Sequence, residues 1–77
     1  MSDVHWELKF GEPNRVTATP ELGVGLVVER RPRTGKWGAQ LTVQGQSAWQ
    51  GEGYALSSVA KKACEQRYRA WRSRSRE

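Results

Sequence analysis

One cysteine, Cys64, and one histidine, His5, are all this chain offers of either residue. An internal disulfide and a Cys/His zinc centre are therefore both excluded. No apolar run approaches the ~20 residues of a membrane span. The N-terminus opens on polar and acidic residues rather than on a basic segment leading into an apolar one. A water-soluble, cytoplasmic protein is expected, with no cofactor and no membrane partner. At 77 residues the chain can build one core, and domains of this size bury only about 60% of their unfolded surface. With the usual staples missing, aromatic packing must compensate through Trp6, Trp37, Trp49 and Trp71. Two or three of these indoles are expected in the core and the rest partly exposed.

The means of catalysis are equally sparse. A nucleophile needs a base and a group to orient it, yet His5 falls on the polar side of the first expected strand and Cys64 on the core side of the expected helix. Glu12 and Glu21 lie in expected loops, with no pocket to perturb them. Gly23-Val24-Gly25 and Gly51-Glu52-Gly53 resemble phosphate-cradling loops only in part, since neither leads into a helix at the spacing of a Walker or dinucleotide motif. They read better as turn and bulge glycines. No enzyme is expected.

Positive charge is present, and it is unevenly placed. Residues 1–53 carry six Lys/Arg and six Asp/Glu, so the net charge of +5 lies wholly in residues 54–77, where seven Lys/Arg face Glu65 and Glu77. Within the first part Arg30, Arg31, Arg33 and Lys36 crowd together. Such asymmetry favours an anionic partner.

Periodicity supplies the fold class. Val4, Trp6, Leu8 and Phe10 alternate with polar residues, which marks a strand over 3–10 with one wet face. Val16 to Thr19 reads as a short extended stretch stopped by Pro20, and Val24 to Arg30 as a strand. Arg31 to Gly35 reads as a hairpin loop, and residues 36–44 as a strand with Trp37, Ala39 and Leu41 on one side and Gln40 and Thr42 on the other. A turn at Gly45-Gln46 leads to a last strand centred on Trp49 that Gly51 and Gly53 end. Ser57 is a good N-cap for a helix over 58–72. Leu56, Val59, Ala60, Ala63, Cys64, Tyr68, Ala70 and Trp71 fall on one half of that helix, and Lys61, Lys62, Glu65, Arg69 and Arg72 on the other. Arg67 is anomalous in the apolar half and must snorkel, pair or face a partner. The expectation is a single α+β domain over 1–72, a small antiparallel sheet of three to four strands against one C-terminal amphipathic helix, followed by a disordered basic tail at 73–77.

Arg31-Pro32, Gly35-Lys36-Trp37, Ala39, Trp49-Gln50-Gly51 and Val59-Ala60 resemble the series that marks the plant ethylene-response-factor type of DNA-binding domain, over residues 29–72. Integrase arm-binding domains of mobile elements look similar in architecture. The resemblance implies a three-stranded sheet backed by a helix, with Arg31, Lys36 and Trp49 at matching binding positions and Arg33 one residue out of register with a loop aromatic. This chain departs at Glu29, Thr42 and Ser47, where arginines would stand, and at Gln40, where an acid would.

Two function classes follow. The first is a nucleic-acid-binding accessory or regulatory protein, acting on DNA or RNA through a basic hairpin with Arg30, Arg31, Arg33, Lys36, Gln40 and Trp49. Lys61, Lys62, Arg69 and Arg72 would give it a secondary basic surface. The second is a phage-type modulator that binds a host protein complex, such as a polymerase or a CRISPR-type defence effector. Small size and a glutamine-rich sheet face speak for it. An edge strand such as 3–10 could also pair with a second copy.

Overall fold

The computed structural model describes residues 4–8, 11 and 14–75. Five strands, β1 (Glu7–Leu8), β2 (Arg15–Glu21), β3 (Val24–Arg30), β4 (Trp37–Val43) and β5 (Gln46–Tyr54), form one antiparallel sheet in chain order. Helix α1 (Ser57–Ser75) lies across β3, β4 and β5. The α+β class is as expected, with a larger sheet than three to four strands. Among the described residues no helix is long and apolar enough to cross a membrane.

Alternation along the strands decides which face the helix covers. Val16 and Ala18 of β2, Val24, Leu26 and Val28 of β3, and Ala39 and Leu41 of β4 are buried on one side, and the register aligns Val16 with Val28, Leu26 with Leu41 and Val28 with Ala39. Against them α1 sets Ala60, Cys64 and Tyr68, three buried residues at i, i+4 spacing. The small Ala60 and Cys64 let the helix axis approach the sheet, while Tyr68 reaches over its end and donates its hydroxyl to Glu21 Oε1 at 2.6 Å. Leu26 is fully buried beneath it. Truncating such a side chain to alanine costs about 2–5 kcal/mol.

The strands differ from expectation at their ends, each time for a local reason. Pro20 does not stop β2, because it sits where the pairing with β3 shifts register between Ala18 and Glu21, a place where a missing N–H is tolerated. The β4–β5 turn is Gln44-Gly45 rather than Gly45-Gln46. Both residues have positive φ, 50° and 81°, the geometry of the two-residue turn whose twist suits a hairpin. Gly51 and Gly53 do not end β5. The pairing with β4 shifts register twice, between Leu41 and Thr42 and between Trp37 and Ala39, so β5 absorbs Ala48 and Gly53 as extra residues and runs on to Tyr54.

Of the strand expected over 3–10, Glu7 and Leu8 pair with β2 among the described residues, and residues 3, 9 and 10 lie outside them. Val4 is buried and Trp6 packs against the core, with its Nε1 donating to Glu65 Oε1 of the helix at 3.4 Å. Leu8 shares Val16's side of the sheet yet remains exposed, because α1 covers β3 to β5 and stops short of that edge.

Helix α1 begins at Ser57, and the carbonyl of Leu56 accepts from the N–H of Ala60 at 3.2 Å. Ser57 is therefore the first helical residue rather than its cap. At the other end Ser73, Arg74 and Ser75, expected in a disordered tail, continue the helix, while residues 76–77 lie outside the described residues.

Candidate nucleic-acid interface

The expected binding residues do not share one surface. Gln40 and Thr42 face away from the helix, as alternation requires. Their side of the sheet also holds Arg15, Glu29, Arg31, Gln50 and Glu52. Trp49 pairs with Leu41 and so sits on the opposite face, beside α1.

The cations of the open face are already answered by carboxylates. Arg31 donates from Nε and Nη2 to the two oxygens of Glu52, at 3.1 and 2.7 Å, and from Nη1 to Glu29 Oε1 at 2.8 Å. Arg15 lies 3.8 Å from the other Glu29 oxygen, and Gln50 Nε2 donates to Glu52 at 3.2 Å. The fork that a guanidinium would offer to a phosphate is thus spent on bidentate pairing within the sheet. The hydrogen bond from Arg31 holds the Glu52 carboxyl below the usual carboxylate range, with Gln50 adding to the effect. The same bond pushes Arg31 up.

Gly38 makes this crossing possible. The Arg31–Glu52 pair spans β4 from β3 to β5, and a Cβ on Gly38 would stand 2.5 Å from Glu52 Oε2 and 2.7 Å from Arg31 Nη2. The Thr42 hydroxyl donates to the carbonyl of Gly25 at 3.2 Å and ties β4 to β3 on the same face.

Arg30, Arg33 and Lys36 remain exposed at one end of the sheet. Their loop is closed by backbone bonds, Arg31 N–H to Lys36 O at 2.7 Å and Gly35 N–H to Arg31 O at 2.8 Å. Gly35, with φ +71°, makes the tight reversal that this closure needs. The loop opens beside the end of β5, from which α1 departs, so the three cations and the first helical turns lie at one end of the molecule.

The helix carries the larger charge. Lys61, Lys62, Arg67, Arg69, Arg72 and Arg74 stand on it against Glu65, and none of the ion pairs among the described residues includes a helix cation. Lys62 and Arg69 point outward, one above the other at i, i+7. Lys61 and Arg72 flank the core on the β2 side, where Arg72 lies near the Tyr68 hydroxyl. Arg67 resolves its anomaly by stacking on Trp49, with Cζ 5.6 Å from the ring centroid. Trp71 stacks on Tyr68 at 6.2 Å. All four tryptophans are partly buried against the core.

Cys64 is sealed between helix and sheet, where its thiol donates to the carbonyl of Gln40 at 3.5 Å. Burial pushes the thiol up to about 11, which fits a packing residue rather than a nucleophile.

Two features escaped the sequence reading: the Glu29–Arg31–Glu52 network, and Arg74 beside Arg67 at the helix flank. Glu29 and Arg31, two residues apart across the end of β3, are legible as neighbours on one face. Glu52 was not, because its side depends on the two extra residues in β5. No protein family, no curated protein and no solved structure matches the chain.

Proposed function

We propose that this protein is a small nucleic-acid-binding accessory or regulatory protein whose phosphate contacts come mainly from helix α1, joined by the exposed loop cations Arg30, Arg33 and Lys36. The observation that carries the reading is compensation: Arg15 and Arg31 have carboxylate partners in the sheet, whereas the six helix cations have none among the described residues. Uncompensated Lys and Arg gain the most from a phosphate, because binding releases condensed counterions without first breaking an internal pair. A helix of 19 residues is about 28 Å long, roughly eight base steps. Arg31 then acts as a brace of the sheet, and the basic hairpin as a secondary contact.

Fluorescence anisotropy of labelled duplex and single-stranded oligonucleotides across a salt series tests this. Affinity should fall linearly with log salt, with a slope reporting several phosphates, about −0.9 per contact for duplex. Absence of binding to both at low salt would sink the reading. A protein partner is the second reading, favoured by Leu56 and Val59, which stand 60% and 47% exposed at the start of the helix. Capture of one stoichiometric protein, with no nucleic acid recovered, is the outcome it requires.

A further inference from the structure

We infer that the groove between β5 and the C-terminal half of α1 is a seat for one unpaired nucleobase with its flanking phosphates, so that the protein prefers single-stranded nucleic acid. This rests on the nucleic-acid reading above and goes further by assigning a base-binding groove that shares Arg67 and Arg74 with the helix surface. The groove, about 150 Å³, is lined by Leu41, Ala48, Trp49, Ala70 and Trp71, with Arg67 and Arg74 also on its walls. Its size lies below the range of drug-sized ligand cavities and suits one flat ring.

Its composition is that of single-strand sites, aromatic faces for stacking beside guanidinium groups for the backbone. Two small residues, Ala48 and Ala70, keep it open, and both are exposed. The rings are held in advance. Trp71 is stacked on Tyr68, which is anchored to Glu21, and the Trp49 ring already carries the Arg67 guanidinium at 5.6 Å, so a base would stack against Trp71 or on that guanidinium. Stacking therefore orders little that is not already ordered.

The neighbouring edge of β5 argues against the other occupants of such a groove. An extended peptide or a second copy would add a strand to this edge, but Ala48 and Gly53 interrupt the ladder there, and Gly53 lies at φ +82°. Bulges of this kind blunt an edge strand. Recognition through side chains remains, and the side chains are aromatic and cationic.

The test compares a strand of about ten thymidines with an abasic phosphodiester strand of equal length, a duplex and an acidic decapeptide, using the full chain. The thymidine strand should quench tryptophan fluorescence and bind on the order of tenfold more tightly than the abasic strand, the effect of one stacked base. Arg67→Gln with Arg74→Gln should weaken single-strand binding more than duplex binding. Ala70→Leu, which fills the groove from an exposed position without altering charge, should abolish the preference for bases while leaving duplex binding within twofold. Equal affinity for thymidine and abasic strands, with duplex binding intact, would overturn the groove and leave the helix reading standing. Displacement of thymidine by the acidic peptide would also overturn it, in favour of a protein partner. Failure of every nucleic acid to bind would remove both readings together.

Discussion

The open face of the sheet and the outer face of the helix both present arginines, and they differ in what those arginines already touch. On the sheet Arg15 and Arg31 meet Glu29 and Glu52 within 4 Å. On the helix, six cations share the element with Glu65, whose carboxylate accepts from Trp6. A count of basic residues would rank the hairpin and the helix as comparable binding surfaces. Compensation separates them, because a paired guanidinium must give up a bidentate partner before it can hold a phosphate, while an unpaired one gives up only hydration and counterions.

Removing the helix charge should have the largest effect. Neutralising Lys61, Lys62 and Arg69 together to Gln is expected to lower duplex affinity on the order of a hundredfold at low salt and to reduce the salt slope by about 3. Circular dichroism and thermal melts should be unchanged, since these side chains carry no ion pair among the described residues. Replacing Arg31 by Gln should do the reverse, with a lowered melting temperature and an affinity within about twofold of the parent. If Arg31→Gln alone matched the triple variant, the two faces would have exchanged roles.

A pair of identical substitutions sharpens the contrast in packing. Gly51→Ala places a Cβ against the Trp49 indole and the Tyr54 hydroxyl, within 2.5 to 2.8 Å. The half-buried indole packs against the core and must shift to make room, so a loss of about 1–3 kcal/mol is expected. Gly38→Ala meets only the far ends of the Arg31 and Glu52 side chains on the open face. Those ends can part at a cost of under about 1 kcal/mol, which the reduced entropy of the unfolded chain partly offsets. Denaturant titration of both variants reads the difference directly.

Much of the fold was legible in residues 24–43, where strand, loop and strand stand where alternation placed them. There the period of two is uninterrupted and the buried set is continuous, so local pattern and global packing agree. The reading failed where the chain inserts a residue: at Ala48, at Gly53 and around Pro20, the register depends on the neighbouring strand and on φ, which a single sequence does not display. The candidate site suffered for the same reason. Arg67 stood out because it broke the helical pattern, and its partner Trp49 was visible as an aromatic on β5. That the two meet follows only from the bulge at Ala48, which puts Trp49 opposite Leu41 and beneath the helix. The carboxylate that pairs with Arg31 is not legible locally, since Glu52 is 21 residues away.

Turning the sheet face into a copy of the helix face should be possible by deleting its carboxylates. Glu29→Gln with Glu52→Gln leaves Arg15 and Arg31 uncompensated on an exposed surface. Two newly available cations are expected to raise oligonucleotide affinity by about threefold to tenfold at low salt, and to steepen the salt slope by at most 2. Should affinity stay flat, geometry rather than compensation would be what withholds this face from nucleic acid.

The smallest effect concerns acid, and it separates the faces without a mutation. Because Arg31 lowers the folded-state pKa of Glu52, the stabilisation from this carboxylate is complete above the ordinary glutamate value near 4.3. It is lost as pH falls through the lower, folded value. None of the ion pairs among the described residues includes a helix cation, so no such bond is lost on that face. The pair is largely solvent-exposed, with side chains 38% and 47% accessible, and solvent screening limits its worth to at most about 1 kcal/mol. A thermal melt taken between pH 5 and pH 3 should therefore show a fall of a few degrees. In Glu52→Gln the fall should be smaller, because that variant has no carboxylate to protonate at the position. An equal fall in both proteins would mean that other carboxylates govern acid stability and that the Arg31–Glu52 crossing over Gly38 contributes little to the fold.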